Sequence, residues 1–323
     1  MTMRELAALA NVSISTVSKA FNDAEDVCFE TKQHIFDIAK KHGCYGKFYK
    51  GKYSKKVIAI ICSELKSNYY ISFVETLQNI IEKNDGIAII SADNFDSNKQ
   101  AELIDYYASY LHVDGVFVFG LMQPLKKGYD IPVVSIFSAK DKNVDSINVD
   151  FRSAIEDSVY RLYNLGHRNI TFIGENRTKS KSKHFQNFCE QLGDITYDII
   201  QSEYRFEKAG KEAIKHIIDT GSACTAIISA YDYIAIGAIK QLKNLGYKVP
   251  DDFSVIGMDN LNVTEYMDTE LTSIDVGPEE ICMLAWDLLQ KKQKNKYYKS
   301  QQRITIKAKL IVRNSISKPK IKG

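Results

Sequence analysis

No apolar run in the 323-residue chain approaches the length of a membrane span. There is no signal-peptide pattern: Arg4 and Glu5 precede a short amphipathic stretch, not an apolar core with a cleavage site. The expected location is the cytoplasm. Cysteine is sparse and scattered. Cys28, Cys44, Cys62, Cys189, Cys224 and Cys282 include no CxxC pair and have no His at ligand spacing, which argues against a zinc site or a disulfide framework. Also missing are a Ser-His-Asp set, a GxGxxG turn and a GxxxxGK phosphate loop, so no catalytic residue, metal or cofactor is expected. What remains is an ordinary globular composition, 45% hydrophobic and 26% charged, long enough for two or three units with real cores.

The first 22 residues, MTMRELAALANVSISTVSKAFN, read as helix, tight turn and helix. Thr2 and Glu5 have the spacing of a capping box, which starts a helix at about Met3 with Leu6, Leu9 and Ala10 as its apolar stripe. Asn11 falls where the chain must turn, and Asn tolerates a left-handed conformation. Ser13 can cap a second helix on which Val17, Ala20 and Phe21 face inward. That leaves Ile14, Ser15, Thr16, Ser18 and Lys19 on an outer face of small polar residues and one cation, which suits the major groove of DNA. An ordinary helical hairpin has the same pattern. The charge distribution favours the first reading. Net charge is only +3, yet residues 1–56 carry ten Lys and Arg against six acids, and seven of those cations fall between Lys40 and Lys56. The run suits phosphate binding and also a solvated linker.

A third helix is expected over about Glu30–Lys41, with Ile35, Ile38 and Ala39 inward, followed by a linker over 44–56. Buried strands then alternate with amphipathic helices from Val57 to about Ile136, and the pattern restarts at Phe151 and runs to about Gly257. Alternation of this kind gives parallel sheets covered on both faces. The fold class is therefore α/β: an all-α helix-turn-helix head, then two doubly wound parallel-sheet lobes. Ligands of such folds sit at the carboxyl ends of the strands, and a cleft between two lobes is the natural place.

These same residues carry a resemblance. LAALANVSISTVSKAFN and ETKQHIFDIAKKHG in the head, then LGHRNITFIG (165–174), DYIAIGAIKQL (232–242), LGYKVPDDFSVIGMDN (245–260), LTSI (271–274) and LIVRNS (310–315), occur in the order found in the lactose/galactose repressor (LacI/GalR) family. The chain resembles that family from end to end. The resemblance implies a DNA-binding head, a hinge, and a two-lobed effector core like that of periplasmic sugar-binding proteins. It implies a homodimer on double-stranded, pseudopalindromic operator DNA. Three crossings between lobes are expected near Val149, Ile274 and Arg303. That divides the chain into a head (1–43), a hinge (44–56), a first lobe (57–149 with 275–302), a second lobe (150–274 with 303–315) and a tail (316–323). Eight residues after Ser315 leave no room for a tetramerising helix.

The family's base-reading pair falls on Ile14 and Ser15. Ile14 can meet a thymine methyl, and Ser15 can donate or accept. Lys19 stands where the family usually has Arg, exchanging a two-bond fork for a point charge. Thr2, Ser13, Thr16, Ser18, Asn22, Thr31 and Lys32 are candidate phosphate contacts, with capping or solvation as the alternative for each hydroxyl. The hinge departs from the family's pattern. Cys44, Gly46, Lys47, Lys50, Gly51 and Tyr53 replace its usual turn and short helix, and Gly51 lowers helix propensity by roughly 1 kcal/mol relative to Ala. Tyr53 can still wedge into a minor-groove step, but the usual aliphatic lever is absent, so a weaker or less sharply kinked operator is expected.

In the core, the matching places are Tyr69 and Tyr70 as an aromatic wall, Asp150 at a crossing, and Lys181 where the family commonly holds ligand oxygens with Arg. Asp232 lies in the DYIAIG block, Asp259 ends VIGMD, and Tyr231 replaces that block's usual Asn. Carboxylates at strand ends suit vicinal hydroxyls, and aromatic faces suit the apolar face of a pyranose. Helix capping or hinge structure is the alternative for Asp232 and Asp259, and a solvated loop for Lys181. The segment around Tyr204 and Phe206 adds a further aromatic wall. His167 is expected to be structural. The implied function is a ligand-responsive transcriptional regulator, most readily a repressor with a sugar-like effector. A corepressor-protein-dependent global regulator and a pure sugar-binding module are the alternatives.

Overall fold

The computed structural model describes residues 1–22, 24–48, 55–294 and 300–320. The chain divides into two compact units, Met1–Lys56 and Val57–Gly323.

The head holds four helices: α1 (Met3–Leu9), α2 (Ile14–Phe21), α3 (Phe29–Lys41) and α4 (Tyr45–Phe48). Thr2 and Glu5 form the expected capping box, with Thr2 N donating to Glu5 Oε2 at 2.8 Å and Glu5 N to Thr2 Oγ1 at 3.3 Å. Asn11 takes φ 52° at the turn. Leu6, Ala7 and Ala10 are the buried stripe, while Leu9 is 51% exposed, so the sequence pattern chose the wrong neighbour of Leu6. Phe21 sits at the centre, with Phe36, Tyr45 and Phe48 at ring distances of 5.1, 5.7 and 5.8 Å. That cluster corrects the linker expected over 44–56. Cys44 and Phe48 are buried in the head's core, so its first residues close the head. The remaining hinge residues of interest, Lys50, Gly51 and Tyr53, lie outside the described residues.

The second unit contains two six-stranded sheets. The first is built from β1 (Lys56–Cys62), β2 (Gly86–Ala92), β3 (Gly115–Leu121), β4 (Val133–Ala139), β5 (Asp145–Asp150) and β11 (Arg303–Lys307), in the order β11-β5-β4-β3-β1-β2. The second contains β6 (Asn169–Glu175), β7 (Thr196–Ser202), β8 (Ala226–Ser229), β9 (Ser254–Met258), β10 (Thr272–Asp275) and β12 (Lys309–Ile311), in the order β12-β10-β9-β8-β6-β7. The ladders are parallel from β1 through β3, β4 and β5 to β11, and from β7 through β6, β8 and β9 to β10; β12 closes the second sheet antiparallel. The central strands are mostly apolar because both faces are covered. Helices α5 (Asn68–Lys83), α6 (Ser97–Asp105) and α11 (Pro278–Lys294) accompany the first sheet. Helices α7 (Arg152–Leu165), α8 (Lys179–Leu192), α9 (Phe206–Asp219) and α10 (Asp232–Asn244) accompany the second.

Two expected boundaries move. β11 pairs with β5, Ile304 opposite Ile147 and Ile306 opposite Val149, so residues 303–307 belong to the first sheet and the third crossing falls at Ala308. Nor do the residues after Ser315 form a free tail. Ser317 N donates to Ser254 Oγ at 3.0 Å, and the Ser317 carbonyl lies 2.8 Å from His167 Nε2. His167 is buried, with Nδ1 2.8 Å from Thr225 Oγ1. Its role is structural, as its place after α7 suggests.

Candidate DNA-reading face and effector cleft

On the head, Ser13 Oγ accepts Thr16 N at 2.9 Å and lies 2.8 Å from Thr16 Oγ1, so both hydroxyls serve the start of α2. Thr2 is likewise used in its cap, and Asn22 donates to Ser18 Oγ at 3.4 Å. Ile14 and Ser15 are exposed on the first turn, free of such duties. Thr31 lies 3.0 Å from Cys28 Sγ, and Lys32 is half-buried. Lys19 is exposed and ion-paired with Asp26 in the turn after α2. Asp26 escaped the sequence reading because no helical period links position 19 to position 26 through a turn.

In the second unit, a cavity of about 500 Å³ lies where the carboxyl ends of both sheets meet. Glu64 follows β1, Phe95 follows β2, Phe137 lies among the last residues of β4, and Asn148, Val149 and Phe151 mark the end of β5. From the other sheet come Glu175 at the end of β6, Arg205 and Phe206 after β7, Tyr231 after β8 and Asp259 after β9. Strand ends thus supply much of the wall, and helices α5 and α8 add Tyr69, Tyr70 and Lys181.

Aromatic faces dominate it. Tyr69 stacks on Phe137 at 5.8 Å, and Tyr70 meets Phe95 edge-on at 6.1 Å. Burial pushes the Tyr70 phenol up to about 12. Four lining residues hold left-handed backbone: Phe95 (φ 62°), Phe137 (75°), Phe206 (57°) and Asp259 (107°). For side chains of this bulk that region costs on the order of 1–3 kcal/mol each, and such strain gathers at binding sites. Charged groups sit among the rings. Arg177 stacks over Phe95 at 3.8 Å. Lys181 donates to the Ala230 carbonyl at 2.8 Å and lies over Phe151 at 4.4 Å. Burial disfavours both members of the Lys181–Asp259 pair, lowering the amine and raising the carboxyl well above its ordinary range; each charge opposes the other's shift.

Of the residues singled out from sequence, Tyr69, Tyr70, Lys181, Tyr231 and Asp259 line this cavity. Asp232 and Asp150 do not. Asp232 stands behind the wall with both oxygens in use: Oδ1 accepts Ser273 Oγ at 2.6 Å and Oδ2 accepts Leu261 N at 2.8 Å. It thereby ties α10 to the segment that carries Asp259. Asp150 accepts Arg152 N at 2.9 Å and starts α7. Of the further aromatic wall, Phe206 lines the cavity and Tyr204 points to solvent. Glu64, Phe95, Phe137, Glu175, Arg177 and Arg205 were missed. Strand ends alone could have pointed to Glu64, Phe95, Glu175 and Arg205, each at or just after the end of a strand.

Residues 2–45 match the family model of bacterial regulatory proteins of the lacI family, and residues 159–316 match that of a periplasmic binding protein-like domain. The chain has the head of the lacI family. Among curated relatives it is 26% identical to the HTH-type transcriptional repressor CytR of Escherichia coli (strain K12) over 331 residues, covering 97% of this chain and 96% of the relative. Among solved structures, the lac repressor dimer bound to operator and an anti-inducer superposes with a TM-score of 0.70 at 17% identity, covering 98% of this chain and 99% of that one. A LacI family transcriptional regulator from Enterococcus faecium with bound ribose gives 0.72 at 18%, covering 82% and 100%. The chain is thus a DNA-binding transcriptional regulator with a lacI-family helix-turn-helix head. Among the described residues no helix is long and apolar enough to cross a membrane, and no group of three His, Cys, Asp or Glu side chains could hold a metal ion.

Asp232 gives the regulator a pH signature. Burial raises its carboxyl to about 7, opposed chiefly by the Ser273 hydrogen bond. Between the ordinary value of 3.8 and about 7 the folded chain therefore holds more protons here than the unfolded chain. This group's contribution to stability is present below that window and is lost as pH rises through it. Melting curves of wild type and Asp232→Asn from pH 4 to 8 should diverge across the window, with wild type declining more steeply. Parallel curves would show that Asp232 does not titrate there.

Proposed function

We propose that the chain is a dimeric repressor, acting on operator DNA in the cytoplasm, whose affinity for the operator is set by a neutral, hydroxyl-rich effector of the sugar class bound in the cleft. One observation carries this reading: aromatic faces and paired charges alternate around a cavity of about 500 Å³ at the strand ends of both lobes. Rings stack on the apolar face of a sugar ring, while carboxylates and cations between them bond its hydroxyls. Tyr69, Tyr70 and Tyr231 serve as walls, Asp259 accepts from hydroxyls, and Lys181 donates. The ribose in the E. faecium relative's structure supports the same class. Dimerisation lets two heads, each presenting Ile14, Ser15 and Lys19, read the two halves of a pseudopalindrome.

A thermal-shift screen of sugars and sugar phosphates tests this. A true effector at 100 times its Kd stabilises by about 2.7 kcal/mol. Asp259→Asn should weaken that compound about tenfold, the loss expected from one hydrogen bond. If no compound in the classes tested shifts melting, the effector reading is lost.

A further inference from the structure

Arg205 stands between two carboxylates that belong to different lobes. Across the cleft, its Nη1 and Nη2 donate to Glu64 Oε2 and Oε1 at 3.0 and 2.8 Å, the bidentate fork that guanidinium geometry favours. On its own lobe, Nε lies 3.4 Å from Glu175 Oε2. That second pair falls short of a hydrogen bond, and Nε and Oε2 are both buried without any hydrogen-bond partner. Buried, unbonded polar atoms are uncommon, and two facing each other at 3.4 Å mark an interaction that this arrangement of the lobes holds just out of reach. Both carboxylates are deeply placed, with 8% and 7% side-chain exposure for Glu64 and Glu175. Nearby, a second contact joins the lobes: Arg177, after β6, stacks at 3.8 Å on Phe95, after β2.

We propose that Arg205 is the toggle of a latch on the cleft, forked to Glu64 when the lobes are together and turned onto Glu175 when they part. The Arg177–Phe95 stack makes and breaks with it. When the lobes part, the Glu64 carboxylate reaches water and Arg205 Nε closes its bond to Glu175. The guanidinium stays paired in both states, so neither state leaves a bare buried charge. The two arrangements then lie close in free energy, and a ligand with modest preference for one of them can move the population. The latch is a property of the empty chain and holds whichever ligand the cleft takes.

Its test therefore uses no ligand. Spin labels are placed on exposed α6 and α8 through Lys99→Cys and Lys183→Cys, in a Cys28→Ser background that removes the exposed native thiol, and the interlobe distance distribution is recorded. Glu64→Gln should raise the long-distance population about tenfold relative to the short one. Glu175→Gln should move it the opposite way, because it removes the partner that receives Arg205 in the open state. Phe95→Ala supplies a second opening variant that leaves all three charges in place. Opposite shifts from the two glutamate variants support the latch. Unchanged distributions, or opening in both glutamate variants alike, overturn it, since a merely structural network would loosen in the same direction whichever carboxylate was lost.

Discussion

Phe21→Ala is expected to abolish operator binding while leaving the melting of the effector core unchanged. Phe21 is 2% exposed and touches the rings of Phe36, Tyr45 and Phe48. Truncating a buried Phe costs about 3–5 kcal/mol. A unit as small as the head rarely has more than about 3–5 kcal/mol in total. The substitution therefore removes most or all of the head's stability and, with it, the presentation of Ile14 and Ser15. The core is a separate compact unit, so its transition should persist in calorimetry. Fluorescence anisotropy on a duplex selected from a random pool gives the binding readout. Retained binding would mean that α4 and its aromatic contacts are dispensable.

Gly237→Ala should destabilise the core by about 3 kcal/mol, the upper range for overpacking, and lower its Tm on the order of 10 °C. Helices α9 and α10 cross so closely that a Cβ at Gly237 would lie 2.1 Å from the Glu207 carbonyl oxygen; one at Gly210 would lie 2.0 Å from that of Ile234. The obstacles are backbone atoms, which cannot swing aside as a flexible side chain can. The consequence reaches the cleft, because α9 begins beside Arg205 and Phe206 and α10 begins beside Tyr231. Prising the helices apart moves two walls of the cavity, so effector affinity should fall along with Tm. A variant that melts like wild type would show that the helix spacing is relaxed.

These two sites also show what the sequence could and could not reveal. The capping box at Thr2 and Glu5, the Ser13 cap and the inward Val17, Ala20 and Phe21 are local features with fixed spacing, and all were legible. So were the apolar strands. The short helix α4 was not, because CYGKFYKGK interleaves two glycines and cations with the aromatics that it buries, and four residues are too few to show a period. The position of β11 was hidden because its partner β5 is distant in sequence, and only pairing decides to which sheet an edge strand belongs. Tyr69, Tyr231 and Asp259 were found because the family resemblance marks their places: the aromatic wall after the first strand, the DYIAIG block and the end of VIGMD. Arg205 and Glu64 were not, since 141 positions separate them and nothing local in either segment announces the other. Asp232 shows the reverse error: a carboxylate at a strand end reads as a ligand contact, yet its partners Ser273 and Leu261 turn it into a brace.

In the proposed function one ligand, held in the cleft, sets the affinity of the head for DNA. The most direct measurement is the affinity for a selected operator with and without the compound that raises Tm, in wild type and in Asp259→Asn. The compound is expected to change wild-type affinity by about 5–150-fold and operator to change the compound's affinity by the same factor, while at the same concentration Asp259→Asn loses most of the effect and still binds DNA. Equal operator affinity with and without a compound that saturates the cleft would contradict it.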